Sequence, residues 1–261
     1  MERLLIIKIG GNVIDDEAKC ASFLRDFAAL PYNKILIHGG GVMATKLAEA
    51  MGINQNIVEG RRITDSETLK VITMVYAGYV NKNIVASLQS LDCNAAGFTG
   101  ADANLIRAHK RTNAAIDYGY VGDVDKVNAE FLINLLQQGI TPVVAPVTHD
   151  GKGQLLNTNA DTIAQEVAQS LSDLYNVSLI YCFEKEGVLQ DVNDEMSVIK
   201  QIDAASYQDL QSRKVIHSGM IPKLNNAFIA LHKGVGSVII GKAESINLLV
   251  DQKAGTAIVH G

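Results

Sequence analysis

Short β-branched and aliphatic runs alternate with helix-patterned segments along most of this chain, and few folds accept that rhythm. Strand–helix–strand repeats call for parallel strands joined by crossover helices. Leu4–Ile9 reads as a buried strand, followed by Gly10-Gly11 and a helix from about Asp16 to Leu30. Lys34–Ile37 reads as a second strand, His38-Gly39-Gly40-Gly41 as a tight turn, and Val42–Met51 as a helix with apolar spacing of three and four. Cys93–Phe98, Thr141–Pro146, Leu179–Tyr181 and Ser237–Ile240 read as further strands, and Asn159–Leu171 and Ile221–His232 as helices. The expected fold is α/β, a mainly parallel central sheet sandwiched by helices. The least periodic stretch after Leu171, Ser172–Asn176, marks a boundary between two intimate lobes, residues 1–176 and 177–261.

Composition closes off several function classes. Of 261 residues, 48% are hydrophobic and 20% charged, enough for a sizeable core and against disorder. The formal charge is 23 − 28 = −5 with no Lys/Arg-rich block, which argues against nucleic-acid binding. Cys20, Cys93 and Cys182 lie far apart, so neither a disulfide scaffold nor a thiolate zinc site is expected, and a reducing cytoplasm is. The opening MERLLIIKIGG is too short for a signal segment, and no apolar run approaches the roughly 20 residues that span a bilayer.

One helix stands out for length. Thr64-Asp65-Ser66-Glu67 has the capping-box pattern, and Leu69, Ile72, Tyr76, Val80, Ile84 and Leu88 then recur at spacings of three and four through Ser90. About 25 residues at ~1.5 Å each reach nearly 40 Å. A second stripe, Val71, Val75, Tyr79 and Val85, makes the helix apolar on more than one side. Both a helix buried in its own domain and a dimerisation helix fit that pattern.

Two glycine clusters, Gly10-Gly11 and Gly39-Gly40-Gly41, follow predicted strands, where backbone N–H groups can approach an anion closely. Neither is GxGxxG, and no GxxxxGK[ST] occurs, so dinucleotide and Walker-type readings lose support. Lys8 interrupts an otherwise apolar strand and must reach an opening or a counter-ion. Lys223 falls near a predicted helix start, where the dipole disfavours cations. Asp161 lies at a polar strand-to-helix passage as a possible helix cap, a role Asn159 would fill equally well. There is no GxSxG, HExxH or HxxxH pattern, and His38 is the one histidine in a suggestive place. Cations without a general base suit phosphoryl transfer to a carboxylate, a nucleophile already ionised at pH 7.

With these residues in view, the chain resembles the amino-acid kinase family over essentially its whole length. The matching pieces are Lys8-Ile9-Gly10-Gly11, His38–Gly41, Gly60–Asp65, Asn81-Lys82, Gly97–Asp102, Gly119–Val124, Asn157–Asp161, Gly219–Lys223 and Gly255–Ile258. The resemblance implies an ATP-dependent kinase for the side-chain carboxylate of an N-acylated glutamate, with magnesium bridging the phosphates and few or no protein ligands for it. Lys8 and Lys223 would contact the transferring phosphoryl group, and Asp161 would hold both lysines. Gly40, Gly41, Arg62, Asn157 and Asn159 would bind the amino acid, Arg62 through a carboxylate. Gly10, Gly11, Glu184, Gly187, Leu189, Val215, Ile216 and His217 would bind the nucleotide. The N-terminal lobe would take the amino acid and the C-terminal lobe ATP. Where relatives read Ser/Thr-Asp-Val-x-Gly-Val/Ile-Leu, this chain has Phe183–Leu189, with Glu184 in place of Asp and Lys185 in place of Val.

The same resemblance implies a homodimer through the Asp65–Ser90 helix. Only Met1, Glu2 and Arg3 precede the first strand, so no arginine-sensitive hexamer is expected. N-acetyl is the expected acyl group. An N-succinyl substrate would need a further cation, and Arg61 should face away from Arg62 in an extended segment. Aminoadipate or free glutamate are neighbouring substrates. A non-catalytic regulator of the same fold would have no use for both lysines.

Overall fold

The computed structural model describes residues 1–58, 61–112, 116–216 and 220–260, with Arg61 by its backbone alone. In chain order the elements are β1 (Arg3–Ile9), α1 (Gly11–Ile14), α2 (Glu17–Ala29), β2 (Asn33–His38), α3 (Gly41–Ala50), β3 (Ile57–Val58), β4 (Arg61–Arg62), α4 (Ser66–Ile72) and α5 (Asn81–Gln89). They continue with β5 (Ala95–Phe98), β6 (Ile106–Lys110), β7 (Gly122–Val127), α6 (Ala129–Gln137), β8 (Thr141–Val144), β9 (Val147–His149), β10 (Leu155–Asn157) and α7 (Ala160–Leu171). The last are β11 (Asn176–Phe183), β12 (Gln201–Ile202), α8 (Ala204–Ser212), α9 (Ile221–His232), β13 (Ser237–Lys242), α10 (Ile246–Val250) and β14 (Thr256–Ile258).

An eight-stranded sheet in the order β12-β14-β13-β11-β1-β2-β8-β5 forms the centre, with the core strands parallel and the β14 edge antiparallel to β13. Strands preceding Ser172–Asn176 lie on one side of the β1/β11 seam and later strands on the other. The sheet runs unbroken across that seam. Alternation along β1 divides the core into two layers. Leu4 and Ile6 join a cluster with residues of α7 and α9, whereas Leu5, Ile7 and Ile9 join one with residues of α2, α3 and α5. Each face of a strand pair buried this completely must be apolar, which is why β1 and β11 read as continuous hydrophobic runs.

Local chemistry sets the boundaries. Asp16 caps α2 by accepting the Lys19 N–H at 3.0 Å. At its other end the buried Lys34 ammonium donates to the carbonyls of Ala28 and Leu30, both at 2.8 Å, satisfying groups that a helix end leaves open. The long helix expected from Asp65 to Ser90 is continuous, but its middle, Thr73–Val80, is π-helical. Its cap is Asp65, accepting from Thr68 N–H at 2.7 Å; the expected cap, Thr64, is instead buried in hydrogen bonds to Arg62 and Asn157. The principal stripe from Leu69 to Leu88 is buried, and so are Val71 and Val75 of the second stripe. Tyr79 is 62% exposed and Met74 50%.

A second sheet, in the order β10-β9-β6-β7, carries segments that periodicity does not reveal. Its strands are short and partly solvated, so no apolar run announces them. No helix among the described residues is long and apolar enough to cross a membrane.

Candidate active site

The carboxyl ends of β1, β2 and β10 and the starts of α3, α7 and α9 converge on one cavity of about 590 Å³. Ligands of open α/β sheets occupy this position because loops and helix N-termini, rather than side-chain-filled strand interiors, meet there. Among the described residues its wall has four cationic side chains, Lys8, Arg62, Arg111 and Lys223, and one acidic one, Glu184. In a chain of net charge −5 that concentration of positive charge is local.

Lys8 leaves the apolar β1 to meet Asp161: its Nζ lies 2.7 Å from Asp161 Oδ1, and Lys223 Nζ lies 2.8 Å from Oδ2. Asn159 resolves the alternative left by the sequence. Its side chain accepts the N–H groups of Asp161 and Thr162 as the α7 cap, so Asp161 is spared for the lysines. Burial works to raise the Asp161 pKa, but the ammonium groups of Lys223 and Lys8 outweigh it and hold the carboxyl well below the usual range. Burial, with Lys8 as a like charge, lowers the pKa of Lys223; Asp161 and Glu184 oppose the shift. The three side chains are 10–14% exposed, open enough to face the cavity and enclosed enough for charge to count.

The two glycine turns pack on each other. A Cβ on Gly39 would stand 3.4 Å from Gly11 N, and one on Gly11 would stand 3.6 Å from Gly41 N. Gly40, at φ +149°, has the Tyr76 ring 2.9 Å from the place a Cβ would take. The turn therefore admits no side chain at this position. Arg62 donates to Gly41 O at 2.9 Å and Thr45 Oγ1 at 2.8 Å, and also to Gln55 Oε1. Asn157 donates to Thr64 Oγ1 at 3.0 Å, tying β10 to the start of the long helix.

The structure thus brings Lys8, Gly10, Gly11, Gly40, Gly41, Arg62, Asn157, Asn159, Glu184 and Lys223 to one cavity wall, with Asp161 behind it. It does not bring Gly187, Leu189, Val215 or Ile216 to that wall. Gly187 is packed against Thr256 and Val198, Leu189 bridges to Val198, and Val215 and Ile216 join the core. His217 and Gly60 lie outside the described residues, as does the Arg61 side chain. His38 is fully buried, with Nδ1 2.8 Å from Gly39 O and Nε2 3.1 Å from Asn81 Nδ2, and does not line the cavity.

Residue patterns missed Thr45, Tyr76 and Arg111, all on the wall. Tyr76 was legible only as one member of an apolar stripe, but the π-helical turn places its ring against Gly40 and its hydroxyl near Arg62. Arg111 directly follows β6, and its Nε lies 3.0 Å from both oxygens of Asp123 on β7.

Residues 3–242 match the amino acid kinase family. The acetylglutamate kinase of Cytophaga hutchinsonii is 56% identical over 99% of both chains, and that of Phocaeicola vulgatus is 54% identical over 98% of both. A crystal structure of a Streptococcus mutans protein superposes with a TM-score of 0.82 at 28% identity, covering 98% of each chain. Sequence, sheet order and cavity agree on one conclusion: the chain belongs to the amino acid kinase family.

Proposed function

We propose that this protein is an ATP-dependent kinase that phosphorylates the side-chain carboxylate of N-acetyl-L-glutamate to N-acetyl-L-glutamyl 5-phosphate, a step of arginine biosynthesis. The observation that carries the reading is the Lys8–Asp161–Lys223 cluster at the cavity wall, with ion pairs of 2.7 and 2.8 Å. Full-length relatives named acetylglutamate kinase support the choice of substrate.

A carboxylate oxygen of the amino acid attacks the γ-phosphorus. The bond from that phosphorus to the bridging oxygen breaks, and ADP leaves with the electron pair. No proton need move, so the residues work by alignment and charge. Lys8 and Lys223 meet the charge on the phosphoryl group in flight, and Asp161 keeps the two ammonium groups apart and oriented. Arg62, anchored by Gly41, Thr45 and Gln55, receives a carboxylate of the amino acid. Gly10, Gly11, Gly40 and Gly41 offer backbone N–H groups, and Asn157 offers its amide.

Among the described residues no group of three or more His, Cys, Asp or Glu stands together as a metal cage. Mg²⁺ would be carried on the nucleotide phosphates, keeping waters and needing one or two carboxylates at most. Glu184, the one acidic side chain on the described wall, would hold it. The ion would neutralise phosphate charge.

Residues 1–176 would bind the amino acid and residues 177–261 ATP, in a cytoplasmic homodimer that uses the Asp65–Ser90 helix. The exposed Tyr79 and Met74 on that helix support the last point. Acetyl is the favoured acyl group, because Arg111 is already taken by Asp123 and so is not waiting for a further carboxylate.

The test is ATP turnover with N-acetylglutamate, trapping the acyl phosphate with hydroxylamine. An absence of hydroxamate with this substrate would sink the reading. A kcat/KM about tenfold higher for N-succinylglutamate would overturn the acyl assignment.

A further inference from the structure

Tyr181 is an aromatic, polar residue in the middle of the aliphatic strand β11, and it is fully buried. Burying a hydroxyl in a strand flanked by Ile180 and Cys182 is costly unless the oxygen is satisfied. It is satisfied by the backbone of the Asp161 turn: the Tyr181 hydroxyl donates to Asp161 O at 3.1 Å. The same ring lies under Lys223, whose Nζ is 5.1 Å from its centroid. In the sheet, Tyr181 is the register partner of Lys8, and paired residues of neighbouring strands project to one face. One side chain is thus bonded to Asp161, stacked under Lys223 and set beside Lys8.

The cluster has a charge deficit that gives this placement a purpose. Two ammonium groups share one carboxylate, so a positive charge is left over in a partly enclosed site. Several groups face Lys223. Lys8 from β1 repels it, Asp161 from α7 and Glu184 beyond β11 attract it, and its own helix α9 begins just before it with the unfavourable dipole end. Among these influences, burial and Lys8 favour loss of the proton that the reaction needs. An aromatic face within about 6 Å stabilises a cation, more so where water is excluded.

We propose that Tyr181 is a positioning residue for phosphoryl transfer: its ring face keeps Lys223 protonated and in place, and the bond of its hydroxyl to Asp161 O satisfies the buried oxygen. This rests on the proposed role of Lys223 in that transfer. Tyr181 is buried behind the cavity wall and acts through the lysine.

The experiment compares Tyr181→Phe, which keeps the ring, with Tyr181→Leu, which removes it. Readouts are kcat, both KM values, the pH profile of kcat and the titration of the ¹⁵N-labelled Lys223 ammonium by NMR. Tyr181→Leu should lower kcat about thirtyfold with both KM values within about twofold. Its alkaline limb and the Lys223 titration should both move to lower pH. Tyr181→Phe should stay within about threefold of the wild type with an unmoved limb. A Lys223 titration unchanged in Tyr181→Leu, or a Tyr181→Phe enzyme as slow as Tyr181→Leu, would overturn the proposal. If leucine prevents folding, pentafluorophenylalanine at 181 keeps the shape and reverses the ring quadrupole, and the same shift is required of it. A wild-type enzyme forming no hydroxamate from N-acetylglutamate would count against the proposed function instead, and the Lys223 titration would still decide the part of Tyr181.

Discussion

Asn159 accepts the backbone N–H groups of Asp161 and Thr162 at 2.8 and 3.2 Å, and this cap leaves the Asp161 carboxylate to bridge Lys8 and Lys223. The two residues are two positions apart, yet they meet opposite demands, one of the helix and one of the site. Their substitutions should separate. Asn159→Ala should cost about 1 kcal/mol of stability, the usual worth of a cap. Asp161→Asn removes the anion between two cations and should cost roughly 3–5 kcal/mol, as well as most of the turnover. Urea unfolding of both variants is the check, and an Asp161→Asn protein no less stable than Asn159→Ala would refute the bridging role.

For the lysines, the expected effect is on rate. Lys8→Ala and Lys223→Ala should each lower kcat by several orders of magnitude and change KM less, since the charge they meet grows in the transition state. A fall in kcat of tenfold or less for both, ~1.4 kcal/mol, would remove them from the chemistry.

The parallel sheet was legible because buried strands such as Leu4–Ile9 have no polar residue to spare, so Lys8 stood out as a site residue from its neighbours alone. Helix α9 was legible to the residue, since Pro222 suits a first helical turn and the apolar period runs to His232. Strands β6, β7, β9 and β10 were not, because strands of three to six residues, most of them partly solvated, have no run long enough to register. The cap of the long helix fell one residue from its expected place: Thr64 and Asp65 have equivalent capping chemistry, and only the tertiary bonds of Thr64 to Arg62 and Asn157 decide between them. Tyr76 escaped for a similar reason. A π-helical turn breaks the 3.6-residue period from which its burial was read, and its approach to Gly40 is a long-range contact.

Arg62 should behave differently from the lysines. Its carboxylate partner is present in ground and transition states alike, so Arg62→Ala should raise KM for the amino acid with kcat largely spared. Because the guanidinium also binds Gly41 O, Thr45 and Gln55, Arg62→Lys should restore little: a single ammonium does not reproduce that fork. Initial-rate kinetics against both substrates give the answer, and a rise in KM for ATP instead would mean the lobes are assigned the wrong way round.

His38 offers a measurement that does not depend on catalysis at all. It is fully buried between Gly39 and Asn81, and burial chiefly, with the nearby Lys82, lowers its pKa from 6.5 to about 4, against the favourable bond to Gly39 O. The folded protein therefore refuses a proton that the unfolded chain accepts below pH 6.5. The stability this neutral histidine contributes is complete above pH 6.5 and is lost as the pH falls toward 4. Full development of the effect is on the order of 3 kcal/mol, so wild type should lose about 2.5 kcal/mol between pH 7.5 and pH 4.5 that His38→Gln does not lose. Carboxylates such as Asp161 contribute equally to both proteins and cancel in the comparison. Urea midpoints at the two pH values measure the difference. A gap below about 1 kcal/mol would mean that His38 takes its proton inside the folded protein, and that the turn carrying Gly40 and Gly41 tolerates a charge beneath it.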